Sequence, residues 1–416
     1  MRRSLALLGI GFLYTLAALA QDNAELLARM KAMEERIKTL EAEVQQLRTQ
    51  PAAAEAPGTP GPAPVPVPSA EAAALPGAAP GGPLPYYGGS QAAASKIFNP
   101  DISVVGDFLG AAGNSGGRPT PALEMHESEI GLQAILDPYA RADFFLSFGE
   151  SGVNLEEGYL TFPALAGGLQ LRAGKMRAAF GKVNTLHNHV LPWIDRPLVT
   201  QNLTGGEEGI SDAGFSLSRI LPAPGGLFLE GTAQVFRGDS EGVFRSFRRS
   251  DVSTIGHLRA YRDLSESTNV DLGFSYARGH SPDGQPLINQ LYGFDATVRW
   301  KPLRRSIYRS FLGRTELIWS RADMLSGRQT PFGYYVSGDY QFGRRWLIGG
   351  RFDRSERFAS ALLHDTGGSL LLTYRPSEFS QIRGQLRRTR YAEAMTANEI
   401  LFQFLFSIGA HGAHPF

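Results

Sequence analysis

The chain has 416 residues and a formal net charge of +1, enough for two or three soluble domains or one barrel with an appendage. So balanced a chain has no overall field that would select nucleic acid or a strongly charged partner. It contains no cysteine, which excludes disulfides, thiolate metal sites and cysteine nucleophiles.

At the N-terminus, Arg2 and Arg3 precede an apolar run from Leu5 to Leu16, and Ala18-Leu19-Ala20 has the small-x-small form of a cleavage site. Residues 1–20 therefore read as a secretory signal peptide, with Gln21 as the mature N-terminus. The run falls short of the ~20 apolar residues of a spanning helix. No later segment reaches that length.

Residues 21–50 follow another rule. Leu26, Met30, Met33, Ile37, Leu40, Val44 and Leu47 repeat at alternating spacings of four and three, the seam of a coiled coil. With Leu26, Met33, Leu40 and Leu47 at d, the g-to-e pairs of a parallel coil are Arg29–Glu34, Arg36–Glu41 and Glu43–Arg48, each opposite in charge. That pattern predicts a parallel homo-oligomeric coil, and its length leaves dimer and trimer both open. Residues 51–96 form a Pro/Ala-rich linker, with eleven prolines between 51 and 92. Such a stretch cannot build a core and reaches on the order of 100 Å at ~3.1 Å per residue.

From residue 97 to 416 the period changes to two. In 291–301, Tyr292, Phe294, Ala296, Val298 and Trp300 alternate with Asp295, Thr297, Arg299 and Lys301. In 400–408, Phe402, Phe404, Phe406 and Ile408 share one face. Sixteen such segments begin near residues 101, 123, 140, 154, 169, 209, 227, 252, 268, 290, 309, 332, 345, 367, 380 and 398. Short breaks alternate with longer ones, and charged residues recur on the face opposite the apolar one. A soluble sandwich does not need that charge; a water-filled lumen does. The fold class expected is all-β, an antiparallel transmembrane barrel of about sixteen strands. The longest break, 176–208, is a candidate for a loop folded into the lumen.

The terminal Phe416, closing a strand of alternating aromatics, resembles the signal read by the outer-membrane barrel assembly machinery. The wider arrangement resembles the phosphate-selective porin O and P family. The resemblance rests on the signal peptide, coil and linker, on Phe98-Asn99-Pro100-Asp101-Ile102-Ser103 at the barrel's start, and on Leu171-Arg172-Ala173-Gly174-Lys175-Met176 with Phe180-Gly181 at the fifth strand. It covers roughly 97–416 and implies a sixteen-stranded channel that admits a trimeric form. One departure bears on its solute. The phosphate-specific members carry lysine-rich binding surfaces, whereas only Lys96, Lys175, Lys182 and Lys301 follow residue 90 here. Arginines such as Arg177 and Arg196 are the available substitutes.

If the apolar face meets lipid, the lumen receives Arg141, Arg172, Arg259, Arg299, Arg314, Arg351, Arg375, Arg383 and Arg387. It also receives Glu127, Glu129, Asp143, Glu157, Glu230, Asp263, Asp271, Asp295, Glu316, Asp339 and Asp353. These are the expected pore-lining residues; most of them need only solvate the lumen and pair with one another. The signs separate: acids dominate 123–161 and arginines dominate 345–390. Opposed charges about 10 Å apart at an effective dielectric of about 20 interact by about 1.7 kcal/mol, enough to orient a dipolar solute but not to exclude an ion. Weak ion preference is expected, with neutralisation of Arg383 and Arg387 shifting it modestly towards cations.

His187 and His189, two apart in the long loop, could face the same way and hold a divalent metal, but two polar loop residues near the pore explain them as well. No third ligand is evident, so no metal site is assigned, nor is one assigned to His411 and His414. Gly174-Lys175 and Gly181-Lys182 lack the Ser or Thr of a phosphate loop, and no G-x-S-x-G elbow occurs. His257 lies on a strand with no nucleophile placed beside it. No enzyme activity and no cofactor are expected. Two functions remain: a bacterial outer-membrane channel for passive diffusion of small hydrophilic solutes or ions, selective for phosphate or other anions in one variant, and a barrel that anchors the outer membrane to a periplasmic partner through the coil.

Overall fold

Alternating side chains at period two put one set of residues on each face of a strand, and a sheet closed on itself turns one of those faces wholly inward. The computed structural model describes residues 100–114, 121–149 and 152–409, and there the chain does this. The signal peptide, coil, linker, His411, His414 and Phe416 lie outside the described residues.

The strands are β1 (Asp101–Asn114), β2 (Leu123–Asp137), β3 (Ala140–Gly149), β4 (Gly152–Leu165), β5 (Leu169–Arg177), β6 (Ser211–Leu221), β7 (Phe228–Phe236) and β8 (Ser253–Ser265). They continue as β9 (Thr268–His280), β10 (Ile288–Trp300), β11 (Ser310–Met324), β12 (Gly327–Gln329), β13 (Phe332–Gln341), β14 (Trp346–Arg357), β15 (Ser360–Ser377), β16 (Ser380–Arg390) and β17 (Thr396–Gly409). Neighbours in sequence pair antiparallel. The three-residue β12 is a hairpin extension on β11, which also pairs directly with β13. β1 pairs with β17 from Ser103↔Gly409 to Asn114↔Asn398. The wall is thus a closed, sixteen-stranded antiparallel barrel. Closure leaves no unpaired edge, the condition for a sheet to sit in hydrocarbon.

The outward face is the apolar one. In β10, Tyr292 and Val298 are exposed while Leu291 and Asp295 are buried; in β17, Ile400, Phe402 and Phe404 are exposed while Glu399, Leu401 and Gln403 are buried. Outward aromatics meet across strands: Phe274 and Phe294 at 5.2 Å, Tyr276 and Tyr292 at 5.2 Å, Trp346 and Tyr374 at 4.5 Å. All three are directly opposed in register. Such pairs contribute ~0.2–1 kcal/mol each.

Three connections differ from the sequence reading. β15 begins at Ser360 rather than near 367, because the β14–β15 hairpin stays paired beyond the rest of the wall, through Glu356↔His364 and Arg357↔Ser360. Arg357 locks it by ion pairs to Asp365 at 3.0 Å and Glu393 at 2.7 Å. The β3–β4 link is also short, although it lies at the long-loop end. The β10–β11 link, at the short-turn end, runs over 301–309 and includes a 3-10 turn at Leu303–Arg305.

Candidate functional site

The connection between β5 and β6, residues 178–210, folds into the barrel. It contains 3-10 turns at Val183–Thr185 and Asn188–Val190 and one short helix, α1 (Leu198–Leu203). Its apolar side chains are the reason it goes inward. Phe180, Val183, Leu191, Trp193, Val199, Leu203 and Ile210 are buried together with the inward-facing wall residues Ile255, Ala277, Leu291, Ile318, Tyr335 and Leu371. At ~1.5–3 kcal/mol for each large side chain removed from water, that packing is the main force holding the loop. Val243 and Phe244 of the β7–β8 connection join the same core.

The loop also braces itself. Asn184 donates to the carbonyls of Ala178 and Ile210 and accepts from the Ile210 amide, tying its two ends together. Arg196 donates to the carbonyls of Val183 and Leu186 and to Asn188 Oδ1. Burial and the nearby Arg177 charge push the Arg196 guanidinium down to about 9. Gly181 has φ of +61° and lies directly against the Glu316 carboxylate, so a β-carbon is excluded there on both grounds.

On one side the loop meets an acidic wall. Glu127 and Glu129 of β2 point inward, as do Glu156 and Glu157 of β4. Consecutive residues of a regular strand face opposite ways. Here the β3–β4 register shifts between Phe145 and Leu146, a bulge that buries both β4 glutamates. His187 fills the space between them, its Nδ1 2.6 Å from Glu129 and 3.0 Å from Glu156, its Nε2 2.9 Å from Glu157. Burial opposes a charged imidazole, but the Glu129 carboxylate and the hydrogen bonds of Glu129, Glu156 and Glu157 hold its pKa well above the ordinary range. His187 is thus an imidazolium pin. Arg177, at the end of β5, pairs with Glu156 at 2.9 Å and donates to the carbonyls of Glu207 and Glu208. His189 lies beside Glu127 and Glu129.

Further round the wall, on β14 and β16, the charges invert. Asp195 accepts from Arg351 of β14 at 2.8 Å, from Arg387 of β16 at 3.0 Å and from Gln385 at 2.5 Å. Burial alone would raise its carboxyl, yet the Arg351 and Arg387 charges bring it down to about 2. Arg351 also pairs with Asp353 at 2.7 Å and lies over the Trp193 ring, 4.9 Å from its centroid. Trp193 in turn meets Tyr335 edge-on at 5.0 Å. Arg383 donates to the Leu191 carbonyl at 2.8 Å, and Asp353 accepts from the Leu198 amide at the start of α1. A third contact lies between these two: Gly181 and Lys182 amides donate to Ser275 and Glu316, and the Lys182 ammonium pairs with Asp271.

Of the charges expected to face inward, Glu127, Glu129, Asp143, Glu157, Asp271, Asp295, Glu316, Arg351, Asp353 and Arg383 are buried, and Asp263 is exposed. Several are already paired along the wall: Arg141 with Asp143 at 2.5 Å, Arg259 with Asp271 at 2.8 Å, Arg314 with Asp339 at 2.5 Å. The acidic and basic sectors exist, but their upper parts hold the loop instead of facing an empty bore. His187 and Arg177 answer the acids, and Asp195 answers the arginines. Towards the short-turn ends of the strands, Arg172, Arg299, Arg314 and Asp339 are half-buried. Sequence reasoning did not single out Glu156, Asp195, Trp193 or Gln385. Asp195 and Trp193 lie inside the long break, where no period assigns a facing.

No protein-family model matches the sequence. An uncharacterized protein of Aquifex aeolicus (strain VF5) is 28% identical over 388 residues, covering 77% of this chain and 81% of that protein. Among solved structures, the barrel is similar to an OprB of Pseudomonas putida, with a TM-score of 0.54 at 11% identity over 76% of this chain and 95% of that one. An anion-selective porin from Comamonas acidovorans matches with a TM-score of 0.52 at 12% identity over 74% of this chain and 99% of that one. The outer-membrane channel DcaP of Acinetobacter baumannii matches with a TM-score of 0.51 at 11% identity over 74% and 96%. At these identities the likeness is one of fold.

Proposed function

We propose that this protein is a bacterial outer-membrane channel for passive diffusion of small hydrophilic solutes or ions, narrowed by the 178–210 loop. The observation that carries this reading is the interior beyond the loop. Half-buried charges of both signs, among them Arg172, Arg299, Arg314 and Asp339, line the wall down to the short turns. A barrel that served only as an anchor has no need of a charged, water-bathed bore. Similarity of fold to porins and channels supports the same reading. The mixed charge supports weak ion preference, with Arg141, Arg172, Arg259, Arg299, Arg314 and Arg375 set against Asp143, Asp295, Glu316 and Asp339. Homo-oligomerisation through the coil and insertion by the barrel assembly machinery complete the proposal.

The loop docks on β2, β4, β9, β11, β14 and β16, so a small unitary conductance is expected in planar bilayers. Replacing residues 186–203 by a short Gly/Ser connector should raise conductance several-fold. Absence of conduction by both proteins would overturn the channel reading in favour of the anchor. A strongly anion-selective reversal potential would replace weak preference with an anion-selective channel.

A further inference from the structure

The acidic wall gathers four buried carboxyl groups, Glu127, Glu129, Glu156 and Glu157. Arg177 pairs with Glu156, and His187 lies between Glu129, Glu156 and Glu157, so none of these contacts reaches Glu127. Glu127 is the one left without a cationic partner in these contacts. It is 5% exposed, neither of its carboxylate oxygens finds a hydrogen-bond donor, and the Glu156 carboxyl lies against it. A buried carboxyl group facing another carboxyl group has to take up a proton or a cation. On the far side of Glu127 stands an imidazole. Glu127, Glu129 and His189 each place one ligand atom so that all three lie within 4.8 Å of one another, and all three side chains are buried.

We propose that Glu127, Glu129 and His189 bind a divalent transition-metal cation that fastens the loop to β2. Two carboxylate oxygens and one imidazole nitrogen suit zinc and its neighbours better than the all-oxygen shells of calcium or magnesium. Bonds of ~2.0–2.2 Å in a tetrahedron separate ligand atoms by about 3.4 Å, so adjustments of about 1.4 Å or less bring the three into place. His187 then acts from behind: its Nδ1 bonds Glu129 at 2.6 Å and orients that carboxylate towards the ion. The alternative triad of Glu129, Glu156 and His187 is the weaker one, because both nitrogens of His187 are already hydrogen-bonded.

The test uses the full-length, untagged protein folded in detergent, stripped with chelator, reloaded with Zn2+ and dialysed. Metal content is measured by plasma mass spectrometry and folding by heat-modifiable migration. The wild type should retain about one zinc per chain, and Co2+ loaded in its place should show the visible absorption of a low-symmetry site. Glu127→Gln removes charge from a crowded acidic site and so should fold; it and His189→Gln should both fail to retain the ion. Zinc retention by folded variants equal to wild type would overturn the proposal. So would substoichiometric retention by the wild type. Should His189→Gln not fold, Glu127→Gln with the cobalt spectrum decides the matter alone.

Discussion

Asp195 is the residue on which the basic side of the docking turns. Removing one partner of a buried ion pair costs ~3–5 kcal/mol when the other is left alone. Here Arg351 keeps Asp353 and Arg387 keeps Glu399, so Asp195→Asn should cost towards the lower end of that range. Its effect should appear as protease cleavage within 178–210 in a barrel that still migrates as folded. The same residue sets an acid limit. Its carboxyl is lowered from 3.8 to about 2 by Arg351 and Arg387, with Asp353 and Glu399 as the flanking acids. A depressed pKa contributes stability above the unfolded value, and that contribution, roughly 2 kcal/mol, is lost as pH falls from about 4 through about 2. Acrylamide quenching of Trp193, with Trp193→Phe as the blank, should rise over that interval in wild type and stay flat in Asp195→Asn. At this scale the sequence is legible only where alternation holds. Glu157 reads as inward because it alternates with its neighbours, while Glu156 reads as outward, and only the bulge turns it in.

At the scale of elements, the strands were legible, and so was the existence of the long loop, but not its internal structure. A period of two is a local property of the chain, so fifteen of the sixteen wall strands begin within about two residues of where it places them. β15 is the exception, since ion pairs between Arg357, Asp365 and Glu393 extend its hairpin and no period reports them. The length of the β5–β6 break suggests a loop that enters the lumen, but its turns, α1 and its docking partners depend on contacts far apart in sequence. Gly181 is where that docking is sterically least forgiving. Gly181→Val would combine a left-handed backbone with a clash against Glu316. We expect the segment around Lys182 to lift from β9 and β11, at ~1–3 kcal/mol. The measurement is a red shift of Trp193 emission together with larger current noise than wild type in bilayers.

For the molecule as a whole, the barrel follows from features spread over the entire chain: repeated strands, charge on the inward face and closure of β1 on β17. The N-terminal segment is read from a heptad period instead, and we propose that it acts separately. A peptide of residues 21–50 should gain helix as its concentration rises, as measured by circular dichroism, because its three g–e pairs form only between chains. A peptide that stays monomeric and unordered at high concentration would mean that the segment awaits a different protein.

The ion pairs that His187 and Asp195 make in the middle of the loop have a mechanical consequence. β4 and β14 stand almost opposite each other in the ring of strands. A closed sheet resists stretching around its girth through its ladder of hydrogen bonds, yet yields easily when squeezed from a circle to an oval. A segment fixed at His187 to one side and at Asp195 to the other acts as a tie-rod across that circle. Lipid pressing unequally on the outside would then be borne across the bore, and the aperture would keep its shape. Cutting the loop would therefore do more than widen the passage: it would let the cross-section breathe, and the width of the opening would vary with the membrane around it.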